Sequence, residues 1–263
     1  MSKVAIITGG SSGIGRETAI LFQSKGYIVY EFSRRHIPTH GIKHVSVDVS
    51  NKTSVINGVN SVLDAEGKID VFVTNAGMGI AGAVEHTETN EMQKIFDVNV
   101  FGTVNCINAV IPVMRKNGGG KIVCISSVAS VASIPFQTFY SMSKSAVNSL
   151  VLALRNELKP FNIKVCAVMP GDVKTGFTQA RETSKIGSEN YGSRISRSIS
   201  QMEHDEQNGM SPIRIAKKVF SLAEKKNPKP LSSVGFVYKL ICVLLKVLPT
   251  RLANAIVGMI YAK

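Results

Sequence analysis

Short apolar runs rich in Val and Ile alternate with longer helix-compatible segments along most of this chain. Runs of this composition are typical of strands that helices cover on both faces. The alternation therefore predicts a single α/β domain with a doubly wound parallel sheet. The predicted strands are Lys3–Thr8, Ile28–Phe32, His44–Val47, Ile69–Thr74, Lys121–Ile125 and Ile163–Met169. The predicted helices are Gly13–Lys25, Lys52–Ala65, Phe101–Lys116 and Thr138–Phe161.

Length and charge limit the classes of function. At 263 residues the chain is long enough for one large domain. Its net charge of +13 suits an anionic partner, namely nucleic acid, an anionic membrane surface or an anionic cofactor. The sequence has no zinc-finger spacing, RNP-like aromatic run or basic heptad region, so we expect no nucleic-acid partner.

The cysteines and the start of the chain bear on metal binding and compartment. The four cysteines lie far apart and none belongs to a CxxC pair. We therefore expect no metal site, and we interpret the cysteines as buried thiols in a reducing compartment. The first residues lack a signal-peptide core and a small-residue cleavage site. These features predict a cytoplasmic protein.

A glycine-rich loop, Thr8–Gly15, follows the first predicted strand, and a helical pattern begins at Arg16. The glycines permit a tight turn and a close approach of the backbone to a pyrophosphate at the positive end of the helix dipole. The loop predicts a dinucleotide site on a Rossmann-like fold; a structural turn without a ligand is the alternative. The predicted contacts are Gly9, Ser11, Ser12, Gly13, Ile14 and Gly15.

The end of the second strand bears on which dinucleotide is bound. Folds that prefer NAD usually place an acidic residue here, whereas this chain has Ser33 followed by Arg34. Because a guanidinium is a forked donor of permanent charge that suits a 2′-phosphate, we expect NADP(H). Glu31 should point to the same face as Ser33 and complicates this prediction. Solvated arginines at a strand end are the alternative.

Tyr140 and Lys144 are four residues apart on a predicted helix and therefore share one face of it. An ammonium beside a phenol favours the phenolate. We therefore expect Lys144 to lower the pKa of Tyr140, which permits proton exchange with a substrate oxygen near neutral pH. Such pairs are common by chance. The setting makes this one specific, since Ser127 ends the fifth strand thirteen residues before Tyr140 and a nucleotide loop opens the chain.

These motifs, in this order, closely resemble those of the classical short-chain dehydrogenase/reductase family. The resemblance extends from about residue 3 to about residue 178, and several independent motifs in the family's order argue against coincidence. Beyond the glycine loop and Ser127, the matching residues are Asp48-Val49, Thr74 to Gly77, Asn99, Tyr140 to Lys144, Pro170-Gly171 and Thr175.

The resemblance implies an enzyme that transfers hydride between NADP(H) and a carbonyl or alcohol substrate. In the family pattern, Tyr140 is the general acid in reduction and the general base in oxidation, and Ser127 hydrogen-bonds the substrate oxygen. Lys144 also holds the nicotinamide ribose, and Asn99 supports a proton-relay water. The other cofactor contacts that the resemblance implies are Asp48, Val49, Asn75, Ala76, Gly77, Pro170, Gly171, Val173 and Thr175, together with Tyr140 and Lys144.

The sequence departs from the family pattern in two places. Thr74 stands where the family often has Asn, at a mainly structural position. The usual last strand and Asp-Gly-Gly-type ending are replaced by an apolar tail from Leu231, within which a short strand near Leu231–Val234 is expected. We expect a homodimer or homotetramer, and the tail leaves the arrangement of subunits open.

The tail allows two interpretations. Residues Val234–Leu248 are apolar except for Gly235, Tyr238, Lys239 and Lys246. A run of only about 15 residues with internal lysines disfavours a membrane-spanning helix. The tail either packs against the body or a partner subunit, or forms an interfacial membrane helix with snorkelling lysines. We assign residues 1–230 to the catalytic domain and 231–263 to this C-terminal extension.

The polar residues 175–211 follow the last predicted strand. Because ligands bind beyond the carboxyl ends of such strands, this stretch is placed where a lid would cover a pocket. An ordinary mobile loop with a solvated helix is the alternative.

The substrate is predicted from the apolar residues Ile134 to Phe136 and Phe177, which favour a hydrophobic pocket. The surrounding stretches resemble the branch of the family that contains hydroxysteroid and retinol dehydrogenases and lipid ketoreductases. We place a steroid-like ketone or secondary alcohol first, with a 3-ketoacyl or ketosphinganine lipid or retinal as alternatives. A nucleotide-binding sensor without chemistry is the non-enzyme alternative, against which the three intact catalytic residues argue.

Overall fold

The apolar runs of the sequence form the central sheet of the computed structural model, which describes residues 2–183 and 188–262. In chain order the strands are β1 Val4–Thr8, β2 Ile28–Ser33, β3 Ile42–Ser46, β4 Val71–Thr74, β5 Ile80–Ala81, β6 Gly120–Ile125, β7 Ile163–Met169, β8 Glu182–Thr183 and β9 Leu231–Ser233. The α-helices are α1 Gly13–Ser24, α2 Lys52–Glu66, α3 Thr89–Phe96, α4 Gly102–Lys116, α5 Thr138–Glu157, α6 Phe177–Ala180, α7 Arg194–Gln207, α8 Pro212–Glu224, α9 Phe236–Val247 and α10 Thr250–Tyr261.

The main sheet is parallel throughout and has the order β3-β2-β1-β4-β6-β7-β9. β5 and β8 form a separate parallel pair. The chain order reverses between β1 and β4, and in doubly wound sheets ligands bind in the crevice at such a switch point. The glycine loop follows β1, so the topology places it beside this crevice. The predicted fold class is confirmed.

Two apolar layers cover the sheet because successive strand residues point to opposite faces. Ile6 of β1 lies in the layer that packs against α2, α4 and α5. Its neighbour Ile7 lies in the other layer, which includes Phe22 of α1 and Val219 of α8. Both isoleucines are fully buried. The carboxyl ends of the strands are therefore held in a rigid frame.

Several boundaries differ from the prediction. The helices α3 and α8 were not predicted, and β4 begins at Val71 rather than Ile69. The predicted helix Thr138–Phe161 ends at Glu157 and continues as a 3-10 turn over Lys159–Phe161. Pro160 in this turn has no backbone N–H to donate to the helix. The expected short strand near Leu231 is confirmed, since Leu231 of β9 pairs with Ala167 of β7.

The polar stretch 175–211 contains α6, β8 and α7, and its residues 184–187 lie outside the described residues, as do Met1 and Lys263. All four cysteines are buried free thiols, as predicted. Among the described residues, one helical stretch, Thr89–Lys116, is long and apolar enough to cross a membrane by length and composition. Core helices share these properties, and Val110 and Met114 of this stretch are fully buried.

Candidate active site

The glycine loop turns sharply between β1 and α1. Gly9 and Gly13 have φ angles of +65° and +52°, a backbone region that favours glycine. A Cβ at Gly15 would lie 2.3 Å from the carbonyl oxygen of Gly9, so no larger residue fits there. α1 begins at Gly13, and the side chain of the preceding Ser12 makes no capping hydrogen bond. The first N–H groups of α1 therefore suit an anion such as a pyrophosphate.

A second loop, which follows β4, is held against the glycine loop. The hydroxyl of Thr8 accepts hydrogen bonds from the N–H groups of Asn75 and Ala76, both at 2.9 Å. The side-chain amide of Asn75 donates to the carbonyl oxygens of Thr8 and Gly9, at 2.9 and 3.3 Å. Asn75 thus fixes the distance between the two loops on either side of the switch point. Within the chain its contacts are structural, and Ala76 and Gly77 continue this loop into the crevice.

Ser33 and Arg34, at the end of β2, have different surroundings. Ser33 is buried, and its hydroxyl donates to the carbonyl oxygen of Arg35 at 2.8 Å and lies 3.3 Å from a carboxylate oxygen of Glu31. The shared face predicted for Ser33 and Glu31 is confirmed. Glu31 also contacts His44 and lies directly beneath Gly10. Arg34 is exposed, so of the two residues assigned to the 2′-phosphate it is the one whose side chain is free to reach a ligand.

Arg34, just after β2, lines a cavity together with residues of α3. The cavity has a volume of about 650 Å³. Its other lining residues are Ser50, Thr89, Asn90, Gln93, Lys94, Asp97 and Val98. Asp48 and Val49 stand next to Ser50. The carboxylate of Asp48 accepts hydrogen bonds from the backbone N–H and hydroxyl of Ser50, and Val49 packs against Gly102.

Asn99 lies in a π-helical turn, Asp97–Phe101, that joins α3 to α4. Its side chain exchanges two hydrogen bonds of 2.9 Å with the backbone of Met78 and donates a third, of 3.0 Å, to the hydroxyl of Ser143. A Cβ at Gly77 would lie 3.2 Å from Asn99 and 3.5 Å from the Nζ of Lys144. The structure thus brings Asn99 and Lys144 to the same small region, as the sequence predicts.

Ser127, Tyr140 and Lys144 come together at the carboxyl end of β6. The side chains of Ser127 and Tyr140 are hydrogen-bonded. The Nζ of Lys144 lies 5.7 Å from the centroid of the Tyr140 ring and donates a 3.0 Å hydrogen bond to the carbonyl oxygen of Ile125. Helix α5 carries both Tyr140 and Lys144 on one face, and β6 presents Ser127 to them. The predicted constellation is present.

The electrostatics of this constellation differ from the prediction. Burial raises the pKa of Tyr140 to about 12, and the hydrogen bond with Ser127 offsets this only in part. Burial lowers the pKa of Lys144 to about 8. The expectation that Lys144 lowers the pKa of Tyr140 is therefore wrong in this structure. The physical reason is that removal from water disfavours the charged forms of both groups, and Lys144 is not among the groups that shift the pKa of Tyr140.

The residues after β7 are covered by α9. The carbonyl oxygen of Pro170 accepts a 2.8 Å hydrogen bond from the N–H of Val128. Gly171 lies against the ring of Tyr238, whose hydroxyl donates to Asp172 at 2.7 Å. Two further predicted contacts have different settings. Val173 has its side chain in the apolar core, whereas Thr175 lies next to Gly13.

Two residues near Tyr140 were not predicted from the sequence. Arg181, which follows α6, forms a buried ion pair with Glu206 of α7, and Thr178 also donates to Glu206 at 2.6 Å. Both charges are near enough to Tyr140 to affect its pKa. Phe177, predicted from the sequence, packs its ring 5.7 Å from that of Tyr140. Arg181 and Glu206 are far apart in sequence, so no local pattern signals their contact.

Comparison with known proteins agrees with this geometry. The family model of the short chain dehydrogenases matches residues 3–185. A 3-ketodihydrosphingosine reductase of Bacteroides thetaiotaomicron is 41% identical over 236 residues, covering 89% of this chain and 88% of the relative. A short-chain dehydrogenase of Streptomyces avermitilis superposes with a TM-score of 0.82 at 27% identity, covering 98% of each chain. The structure of ElxO with NADP bound gives a TM-score of 0.76 at 28% identity, covering 91% of this chain and 100% of the other. The chain belongs to the short-chain dehydrogenase/reductase family of oxidoreductases.

Proposed function

We propose that this protein is an NADP(H)-dependent reductase of a long-chain lipid ketone of the 3-ketodihydrosphingosine class. The observation that carries the proposal is the 41% identity, over 89% of the chain, to a 3-ketodihydrosphingosine reductase. This relative favours the long-chain lipid alternative over the steroid-like substrate that the sequence analysis places first. The retinal alternative has no comparable support.

The choice of NADP(H) follows from Arg34 and from the related structure of ElxO with NADP. Arg34 is exposed and lines the cavity beside α3, where a forked cation suits a 2′-phosphate. The first N–H groups of α1, together with Gly9, Ser11, Ser12, Ile14 and Gly15 of the loop, would hold the pyrophosphate. Asp48 and Val49 would contact the adenine. Asn75 to Gly77, Lys144 and the loop from Pro170 to Thr175 would hold the nicotinamide half.

The chemistry of the site then divides between the cofactor and the chain. The cofactor, when bound, supplies the hydride. Tyr140 donates its phenolic proton to the ketone oxygen, and a pKa of about 12 keeps that proton in place at neutral pH. Ser127 hydrogen-bonds the same oxygen and orients it. Lys144 and Asn99 supply the route by which Tyr140 is reprotonated. Because the neutral phenol is the proton donor, this arrangement favours reduction near pH 7.

The surroundings of Tyr140 suit a substrate with an apolar chain and a cationic head. Ile134, Phe136 and Phe177 are half-buried apolar residues, and the ring of Phe177 packs 5.7 Å from that of Tyr140. The carboxylates of Asp172 and Glu206 are near enough to Tyr140 to raise its pKa. Glu206 is already paired with Arg181, so Asp172 is the carboxylate that would attract an ammonium beside the ketone, as in 3-ketodihydrosphingosine. Asp172 therefore supports the amino-ketone within the lipid class.

The test is an NADPH-oxidation assay of the purified protein with 3-ketodihydrosphingosine, a 3-ketosteroid, retinal and a 3-ketoacyl thioester. We expect the first to give the highest kcat/KM. The variant Tyr140→Phe should lose at least about a hundredfold in kcat while binding NADPH as tightly as the wild type. Full activity in this variant would refute the mechanism. Binding of NADPH without turnover of any ketone would instead favour the nucleotide-binding sensor.

Assembly, location and domain division stay predictions: a cytoplasmic homodimer or homotetramer, with the catalytic domain in residues 1–230 and an extension in 231–263. Light scattering of the purified protein measures the first of these directly.

A further inference from the structure

The outer face of α9 is apolar and uncovered in this chain. Phe236 and Val247 are 81% and 76% exposed. We call nine exposed residues of helices α9 and α10 the C-terminal apolar face. They are Phe236, Val237, Leu240, Val243, Leu244 and Val247 of α9, and Leu252, Met259 and Ile260 of α10. On α9 these residues recur at spacings of three and four, and on α10 Leu252 lies seven and eight residues before Met259 and Ile260, so each set lies on one side of its helix. Contiguous apolar surface of this kind marks an interaction site.

The two helices are fixed to the body by their inner sides. Cys242 of α9 is buried in a small apolar cluster with Val128 and Met169, and Tyr238 bonds to Asp172. Arg194 of α7 donates hydrogen bonds of 3.1 and 3.2 Å to the carbonyl oxygen of Ala262, just after α10. The C-terminal apolar face is therefore presented outward by anchored helices, and it is not the exposed side of a detached tail.

Positive charge borders this face. Lys239 and Lys246 are exposed and seven residues apart, so they lie two turns apart along the same edge of α9. From residue 225 to the last residue the sequence contains no Asp or Glu. Its basic residues in that range are Lys225, Lys226, Lys229, Lys239, Lys246, Arg251 and Lys263. An apolar helix face edged by lysines matches an anionic bilayer, because the apolar side chains enter the acyl boundary while the lysines reach the headgroups.

A second copy of the chain fits this surface less well. Two copies that met face to face through antiparallel α9 helices would bring their Lys239 and Lys246 edges to the same side, and juxtaposed like charges disfavour association. Internal lysines also make α9 a poor spanning helix. The surface of a bilayer therefore matches both the C-terminal apolar face and its charged edge better than a second copy or a membrane-spanning arrangement does.

We propose that the C-terminal apolar face docks this protein on the surface of an anionic lipid bilayer. The docking surface lies next to the candidate active site, since Tyr238 of α9 contacts Gly171 and α10 packs against α7. A docked protein would therefore hold its site near the lipid phase. The docking itself is independent of the proposed function, whereas delivery of a lipid ketone from the bilayer rests on it.

The test is co-sedimentation of the full-length protein with vesicles of phosphatidylcholine alone and with about one third phosphatidylglycerol added. We expect binding to the anionic vesicles, weakened by high salt. The double variant Leu240→Asp/Val247→Asp should bind at least about tenfold more weakly. The matched control Ile20→Asp/Ile56→Asp changes two exposed isoleucines on α1 and α2 and should bind as the wild type.

A second variant tests the charged edge without adding charge to the apolar face. Lys239→Gln/Lys246→Gln should lose about fivefold in affinity per lysine for anionic vesicles, and nothing for neutral ones. Circular dichroism and NADPH binding verify that each variant is folded, so a docking failure is distinct from a failure of the proposed function. Equal sedimentation of wild type and Leu240→Asp/Val247→Asp would overturn the proposal. The proposal would also be overturned if the wild type did not bind anionic vesicles. It would be overturned as well if Leu240→Asp/Val247→Asp dissociated a wild-type oligomer while vesicle binding stayed unchanged.

Discussion

Tyr238 of helix α9 packs its ring directly on Gly171, the residue that follows strand β7 and Pro170. A Cβ at Gly171 would lie 2.0 Å from a ring carbon of Tyr238, and the Tyr238 hydroxyl donates a 2.7 Å hydrogen bond to Asp172. The apolar extension is thus part of the wall of the candidate active site. This contact joins the segment that departs from the family pattern to a loop that matches it.

The contact predicts that Gly171 tolerates no side chain. Gly171→Ala should lower the free energy of unfolding by about 1–3 kcal/mol, because the methyl group forces Tyr238 or the loop to move. The loss should appear in urea denaturation, accompanied by weaker NADPH binding. Gly176→Ala is the matched control, since no atom lies within 4 Å of its added Cβ. If both variants are equally stable, the packing of α9 on this loop is wrong.

The polar stretch 175–211 contains a buried ion pair whose loss should be costly. Arg181 and Glu206 pair with their side chains only 2% and 14% exposed. Arg181→Met leaves Glu206 without its cation, so we expect a loss of about 3 kcal/mol in the free energy of unfolding. The control is Glu182→Gln, which breaks the exposed pair with Lys94 and should cost under about 1 kcal/mol. Similar losses for the two variants would contradict the burial of the pair between Arg181 and Glu206.

Burial of Lys144 should make stability depend on pH. Its pKa is lowered from 10.5 to about 8 in the folded chain. Between these values the unfolded chain binds more protons, so stability contributed by this group rises with pH and is least below pH 8. At 1.36 kcal/mol per unit, wild type should gain about 3 kcal/mol relative to Lys144→Met across this window. Denaturant titrations of both proteins measure this difference, and a constant difference would disprove it.

The raised pKa of Tyr140 should separate the two directions of the reaction. At neutral pH the phenol is protonated, which suits proton donation to a ketone but not proton removal from an alcohol. Reduction should therefore stay rapid near pH 7, while oxidation should rise with pH toward about 12. Initial rates in both directions, with a matched ketone and alcohol, provide the measurement. An oxidation rate that falls above neutral pH would contradict the protonated state assigned to Tyr140.

Cofactor preference should follow Arg34. Ser33→Asp/Arg34→Leu places a carboxylate where the 2′-phosphate is expected and removes the cation, so preference should move from NADPH toward NADH. Since hydrogen bonds to charged groups contribute about 1.5–3 kcal/mol, we expect the ratio of kcat/KM values to change at least about tenfold. Arg35→Leu, a neighbouring exposed arginine, is the control. An unchanged ratio in the double variant would refute the role of Arg34.

From the amino-acid sequence alone one can predict the α/β fold class, the glycine loop and the grouping of Ser127, Tyr140 and Lys144. Each depends on local periodicity or short spacing, such as the four residues that place Tyr140 and Lys144 on one helix face. The short strand near Leu231 was also predictable, because the family pattern has a last strand at this place in the chain. The helices α3 and α8 were not predicted. α3 is only eight residues long and packs against α5, and the apolar positions of α8 acquire meaning only against the sheet that it covers.

Which charged side chains form pairs, and which helix faces are exposed to solvent, depends on how the chain packs. The ion pair of Arg181 with Glu206 and the contact of Tyr238 with Gly171 join segments far apart in sequence, so no local pattern carries them. The opposite pKa shifts of Tyr140 and Lys144 arise from burial, which spacing along the helix does not reveal. The same holds for α9: its composition is apolar on nearly every side, and packing alone determines that Cys242 is buried while Phe236 remains exposed.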